Sequence, residues 1–141
     1  MPEMRQECEV EVRVRYAECD AMGYLHHAKY FEYFELVRTE LLRQSGYRYR
    51  DLELEGVFFV MAKTECRFKA PIHYDDVVVV RTKITRTTRT RIEHHYEIEL
   101  DGVTRCEADS TLACVGSDGR IRLMPEGLWP EHLREDAPPS G

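Results

Sequence analysis

Residues 28–45 constrain this chain more than any other stretch. Tyr30, Phe34, Val37 and Leu41 recur there at helical spacing, and Phe31 and Leu42 widen the apolar stripe. Leu, Glu and Arg favour a helix, Arg43 suits its negative carboxyl end, and Gly46 offers a left-handed stop just beyond. One long, largely buried helix is predicted. The rest of the chain reads as strands, so this helix must bury its stripe against a sheet.

The strand signals are of several kinds. Val10, Val12, Val14 and Tyr16 alternate with Glu11, Arg13 and Arg15, which predicts a first strand with one wet face. After a polar connection over 47–56, Phe58–Phe68 is rich in aromatic and β-favouring residues, and Ala70 and Pro71 interrupt it. Val77–Val80 is a β-branched run expected to be covered on both faces, with Asp75 and Asp76 marking the turn before it. Ile92, His94, Tyr96, Ile98 and Leu100 alternate with polar residues, and Asp101-Gly102 is a two-residue hairpin signal. Cys106, Ala108, Ser110, Leu112 and Cys114 then share one face, and residues 117–120 carry turn chemistry. The predicted order is strand, helix, then four strands joined by hairpins. This is α+β: an antiparallel sheet of about five strands wrapped around one long helix, over residues 1–125, followed by an irregular tail, 126–141.

A chain of 141 residues is one domain, and 43% apolar with 33% charged residues excludes disordered and fibrous classes. No segment reaches the roughly 20 apolar residues of a membrane span, and Met1–Glu11 lacks the basic and apolar regions of a signal peptide, so a cytoplasmic protein is expected. Twenty basic against twenty-six acidic residues give a net charge of −6, which disfavours a nucleic-acid polymer as partner. The five cysteines are odd in number and form no C-x-x-C pair, so neither a disulfide framework nor a structural zinc site is expected. His26-His27 and His94-His95 give no convincing ligand spacing, and no metal or cofactor is predicted. No G-x-S-x-G elbow supports a serine nucleophile, and no cysteine has an evident histidine-paired context. A sheet with one face on a helix leaves its other face and its edges open, which predicts association through that sheet.

The chemically informative segment is Tyr16–Tyr30. It sets Asp20 beside a helix start, where unpaired backbone N–H groups and partial positive charge can polarise a carbonyl or hold an oxyanion. Asp20 is then a candidate base or nucleophile.

The pattern Y-x-x-x-D-A-x-G-x-x-x-H-x-x-Y-x-x-x-x-E, carried by Tyr16, Asp20, Ala21, Gly23, His27, Tyr30 and Glu35 and continued by Arg38-Thr39-Glu40, resembles a known family. It is similar to the hotdog-fold acyl-CoA thioesterases of the 4-hydroxybenzoyl-CoA thioesterase type, above all the branch associated with the Tol–Pal system. The likeness continues through Phe59-Val60-Met61, Phe68-Lys69-Ala70-Pro71 and Tyr74-Asp75-Asp76, covering roughly residues 9–125. The resemblance implies hydrolysis of an acyl-CoA thioester to free acid and CoA by a homodimer or homotetramer. Asp20 would be the essential carboxylate, as nucleophile or general base. His27 would supply an oxyanion N–H and an imidazole, and Tyr16 would stand near the carboxylate. Gly23 would let the loop approach the acyl group, with Phe59, Val60, Met61 and Thr64 as pocket wall from a partner subunit. Arg86, Arg89 and Arg91 are the candidate site for the nucleotide of CoA, a local basic cluster in an acidic chain. Cys19 and Leu25-His26 depart from the branch's usual threonine and valine-tyrosine.

Two other classes share this architecture. Hotdog enoyl-CoA hydratases or dehydratases place a histidine five positions after the Asp, where this chain has Leu25. A non-catalytic acyl-CoA-binding protein would be marked by loss of the Asp, and Asp20 is present.

Overall fold

Four consecutive valines open the strand about which the sheet is assembled. The computed structural model describes residues 4–129. Its elements are β1 (Glu7–Arg13), α1 (His27–Gln44), a short α2 (Tyr49–Leu54), β2 (Phe58–Phe68), β3 (Val77–Thr87), β4 (Arg91–Leu100) and β5 (Val103–Val115). Every pairing is antiparallel, in the spatial order β1-β3-β4-β5-β2. This is the five-stranded sheet around a long helix that the sequence predicts. Among the described residues no helix is long and apolar enough to cross a membrane.

Three local expectations change. The first strand ends at Arg13, and Tyr16–Glu18 forms a 3-10 turn, because Val14 leaves the ladder to exchange backbone hydrogen bonds with the Asp75-Asp76 turn. Not all strands are joined by hairpins: β2 pairs with β5 at the far edge, and residues 69–76 carry the chain across the end of the sheet to β3. Val78 and Val80 are fully buried under the helix, whereas Val77 and Val79 point to the outer face and are only half-buried.

Helix α1 is defined at both ends by local chemistry. The His26 imidazole Nδ1 accepts the Ala28 N–H at 3.2 Å. At the other end Gly46, at φ +93°, donates to Arg43 O and Tyr47 N–H reaches Leu42 O, a Schellman arrangement. The stripe is buried through Tyr30, Phe34, Val37, Leu41 and Leu42, with Tyr33 added, whereas Phe31, expected to widen it, is exposed. Phe34 packs on Tyr96 of β4 with ring centroids 4.7 Å apart. Truncating one such fully buried leucine, Leu41, to alanine costs about 2–5 kcal/mol.

Asp101 and Gly102 both have positive φ, the type I′ geometry that matches the twist of the β4–β5 hairpin. Within the segment expected as irregular tail, Glu126–Leu128 forms a 3-10 turn that fully buries Leu128, and Arg89 lies over the Trp129 ring at 5.4 Å. The remainder of that tail falls outside the described residues.

Candidate active site

Asp20 lies at the turn of a small hairpin that links β1 to α1. Cys19 bridges Leu25, Asp20 N–H donates to Tyr24 O at 2.9 Å, and Gly23 N–H donates to Asp20 O at 3.0 Å. Gly23 has φ +80°, and a Cβ there would meet nothing within 4 Å. Within the chain its requirement is therefore backbone conformation, not space. The hairpin rests on the 69–76 crossing, through Leu25 N–H to Ile72 O at 2.7 Å and Tyr74 N–H to Gly23 O at 3.0 Å.

The Asp20 carboxylate is held on one side only. Its Oδ1 accepts the Met22 and Tyr24 N–H groups at 2.9 and 3.1 Å. Its Oδ2 has no hydrogen-bond partner among the described residues and faces an exposed setting. At the nearby helix start, His26 caps Ala28 with its ring and Lys29 with its carbonyl. His27, the first helical residue, keeps a backbone N–H without an acceptor among the described residues, and its ring stacks on His26 at 4.3 Å. An anchored carboxylate with one free oxygen, on the hairpin that leads directly into a helix start with an unengaged amide, is equipped to attack an electrophilic carbonyl or deprotonate its water.

Glu18 fixes the base of this hairpin, a role the sequence reading missed. It is only 7% exposed, and its Oε1 accepts both the Arg15 N–H and the buried Tyr33 hydroxyl at 2.8 Å. Burial pushes its carboxyl up. The Arg15 N–H, the Tyr33 hydroxyl and the Arg15 guanidinium outweigh that, so it is held below its ordinary value. A glutamate in an acidic loop looks solvated from sequence; the only hint was Arg15 three residues before it and a tyrosine on the inner helix face.

The other predicted residues are divided. Tyr16 is 79% exposed and sets its ring edge on Tyr74 at 5.6 Å, with no hydrogen bond to Asp20. Tyr24 packs on His73 at 4.9 Å, so the loop carries an aromatic rim. Met61 and Thr64 line a cleft of about 310 Å³ along α1, together with Phe31, Phe34, Arg38, Tyr96 and Ser110. Phe59 turns inward towards Tyr49 at 6.2 Å, and Val60 is exposed on the β2 edge. A larger depression of about 600 Å³ lies over the charged outer face of β1, β3 and β4, and it contains none of the predicted site residues.

Arg86, Arg89 and Arg91 flank the β3–β4 turn, the opposite end of β3 from Val77 and the Asp20 loop. At about 3.3 Å per residue that separation is roughly 33 Å within one chain. Arg86 is ion-paired with Glu93 at 3.6 Å.

Comparison with known proteins agrees with this architecture. A model of the thioesterase-like superfamily matches residues 14–136. The Escherichia coli acyl-CoA thioester hydrolase YbgC is 33% identical over 118 residues, covering 83% of this chain and 86% of that protein. The crystal structure of a DHNA-CoA thioesterase from Staphylococcus aureus superposes with a TM-score of 0.80 at 28% identity, over 83% of this chain and 80% of the other. A Thermus thermophilus thioesterase solved with coenzyme A and Zn gives 0.74 at 25% identity, over 85% and 92%. The chain belongs to the thioesterase-like superfamily, a family of hotdog-fold thioester hydrolases.

Proposed function

We propose that this protein hydrolyses acyl-CoA thioesters to the free acid and CoA, with Asp20 as the reacting carboxylate. The observation that carries the reading is the Asp20 carboxylate itself, clamped through Oδ1 by two loop amides and open at Oδ2, on the hairpin that leads into the α1 start at His27. The His27 N–H polarises the thioester carbonyl and takes the negative charge that develops on its oxygen. Asp20 Oδ2 either attacks the carbonyl carbon, giving a mixed anhydride that water then opens, or removes a proton from a water that attacks directly. Both routes expel the CoA thiolate, which leaves as thiol after protonation. A single turnover in heavy-oxygen water that leaves label in Asp20 identifies the covalent route, with the anhydride opened at the Asp20 carbonyl.

The substrate's length calls for two subunits. Strand β2 is an edge with Val60 and Met61 exposed, and Phe68 stands at the Asp20 end of the sheet while Phe58 stands at the arginine end. A two-fold axis across β2 turns the partner end for end. Its Val60 and Met61 would then face the Phe68 end of this chain's β2, and its Arg86, Arg89 and Arg91 would stand at the same end of the joined sheet as this chain's Asp20. We therefore take the homodimer as the minimum functional unit, with the arginines meeting the phosphates of CoA. Within the superfamily we place the chain in the 4-hydroxybenzoyl-CoA type, near the Tol–Pal-associated branch, on the motif from Tyr16 to Glu35 and the likeness to YbgC.

A hydratase reading is disfavoured because the position five after Asp20 is Leu25, a buried side chain docked against Ile72. The decisive assay follows thiol release from a panel of aromatic, short and long acyl-CoA substrates. Asp20→Asn is expected to lower turnover by at least about 10²-fold with the fold intact. Near-wild-type turnover in that variant refutes the assignment, and binding of acyl-CoA without any thiol release by the wild type favours a non-catalytic binder.

A further inference from the structure

The inner face of the sheet carries a polar patch where an apolar core is expected. Tyr96 is 1% exposed, Ser110 4% and His94 3%, all on strand faces turned towards α1. Tyr96 Oη and Ser110 Oγ are 2.7 Å apart, and Arg38 Nη1 donates to Tyr96 Oη at 3.5 Å. His94 stacks on Tyr96 and stands opposite Ser110, and its Nδ1 has no partner among the described residues. Buried polar groups cost free energy unless they are partnered, so such a patch needs an occupant or a reason.

Arg38 is the charged member. Other cations of α1 are matched by neighbours, Lys29 by Glu32 at 2.8 Å and Arg43 by Glu40. Arg38 has phenols as partners, Tyr96 and Tyr49, and no carboxylate within ion-pair distance among the described residues. Glu35, one turn earlier, lines the same cleft from an exposed position without closing on it. The neighbouring imidazole adds no charge: burial, and then Arg38, pushes His94 down to about 3. The cleft above the patch is walled by Phe31, Phe34 and Met61, suited to methylene groups, and its volume of about 310 Å³ fits a small acyl group.

We propose that Arg38, Tyr96 and Ser110 form an end-group subsite that binds the distal carboxylate of a dicarboxylic acyl thioester, its methylene chain lying along Phe31, Phe34 and Met61. The guanidinium fork matches a carboxylate in two parallel hydrogen bonds, and the Tyr96–Ser110 hydroxyl pair supplies a further donor. This inference rests on the thioesterase reading above, and names the class of acid released.

The test compares glutaryl-CoA with pentanoyl-CoA, and adipyl-CoA with hexanoyl-CoA, by thiol release. The wild type is expected to favour the carboxylated member of a pair in kcat/KM by on the order of 10- to 100-fold. Arg38→Gln should collapse that ratio, Arg38→Lys should restore part of it, and Ser110→Ala should reduce it several-fold; circular dichroism of each variant establishes folding. A wild type that prefers the neutral members, or a ratio unmoved by Arg38→Gln in a folded variant, overturns the subsite while leaving the thioesterase reading intact. An ω-hydroxyacyl-CoA that ranks with the carboxylate overturns the recognition of charge. If no thioester releases thiol, the thioesterase reading fails, and the subsite is then decided by equilibrium binding of glutaryl-CoA against pentanoyl-CoA: a preference below threefold overturns it and a larger one supports it.

Discussion

Removing the Glu18 side chain should loosen the Asp20 hairpin at its base. In Glu18→Ala the Tyr33 hydroxyl, on a side chain only 3% exposed, loses the acceptor at 2.8 Å. An orphaned buried donor of this kind costs about 1–3 kcal/mol. The Arg15 N–H loses its acceptor too, but Arg15 is exposed and water replaces it, so that bond is worth about 0.5–1.5 kcal/mol. The sum is about 2–4 kcal/mol, a large part of the roughly 5–15 kcal/mol of a typical domain. With m near 1–3 kcal/mol per molar urea, the denaturation midpoint should fall by about 0.7–4 M, near 1.5 M at mid-range values. Because Tyr33→Phe removes the orphaned donor, the double variant should regain part of the loss, a coupling on the order of 0.5–3 kcal/mol. The pH dependence has a definite sign. The folded carboxyl is held below its ordinary value, so its stabilisation is complete above the unfolded value of 4.5 and disappears as pH falls through the lower folded value. Glu18→Ala should flatten stability in that acid window. An unfolding free energy within about 0.5 kcal/mol of wild type, or strict additivity with Tyr33→Phe, would refute Glu18 as the anchor.

Other consequences are as direct. Gly23→Ala must place an L-residue at φ +80°, costing about 1–2 kcal/mol in a hairpin with room for the methyl, and calorimetry should show the lowered Tm together with reduced kcat. Val60→Lys puts a charge on the exposed β2 edge, and sedimentation at micromolar concentration should show it shifting from dimer to monomer with loss of turnover; an unchanged active dimer would exclude β2 as the interface. His94 is neutral when folded because burial pushes its imidazole down to about 3 from 6.5, so the unfolded chain binds the extra proton and stability should fall by about 1.4 kcal/mol per pH unit below 6.5. His94→Gln should remove that slope in urea titrations between pH 6 and about 4.

The parts of this fold that were legible in the sequence are those set by local periodicity and turn chemistry. The α1 stripe, the Phe58–Phe68 strand, the Asp101-Gly102 turn and the inward face from Cys106 to Cys114 each follow from side-chain spacing against a helix or a pleat, and each is where it was expected. What spacing does not encode is which strands become neighbours. The 69–76 segment has the length and turn residues of an ordinary loop, yet it carries the chain from one edge of the sheet towards the other. Tyr16 illustrates a different failure: it continues the alternation of Val10, Val12 and Val14, but Val14 is captured by the Asp75-Asp76 turn and the strand ends before Tyr16 can join it. Glu18 and Arg38 were opaque because the burial of a charged residue depends on partners from other elements.

That crossing also underlies the two-subunit site proposed above. Had β2 paired with β3, β5 would form that edge of the sheet. Sending β2 to the far side of β5 instead leaves its backbone open, with Val60 and Met61 on the exposed strand. The same topology puts the carboxylate and the arginines at opposite ends of a strand about 33 Å long, farther apart than one chain's chemistry can use. A two-fold axis through an antiparallel edge is the operation that pairs unlike ends. The exposed edge and the division of the proposed site both follow from strand order, and disrupting the β2 edge should abolish activity even with Asp20, His27 and their hydrogen bonds untouched.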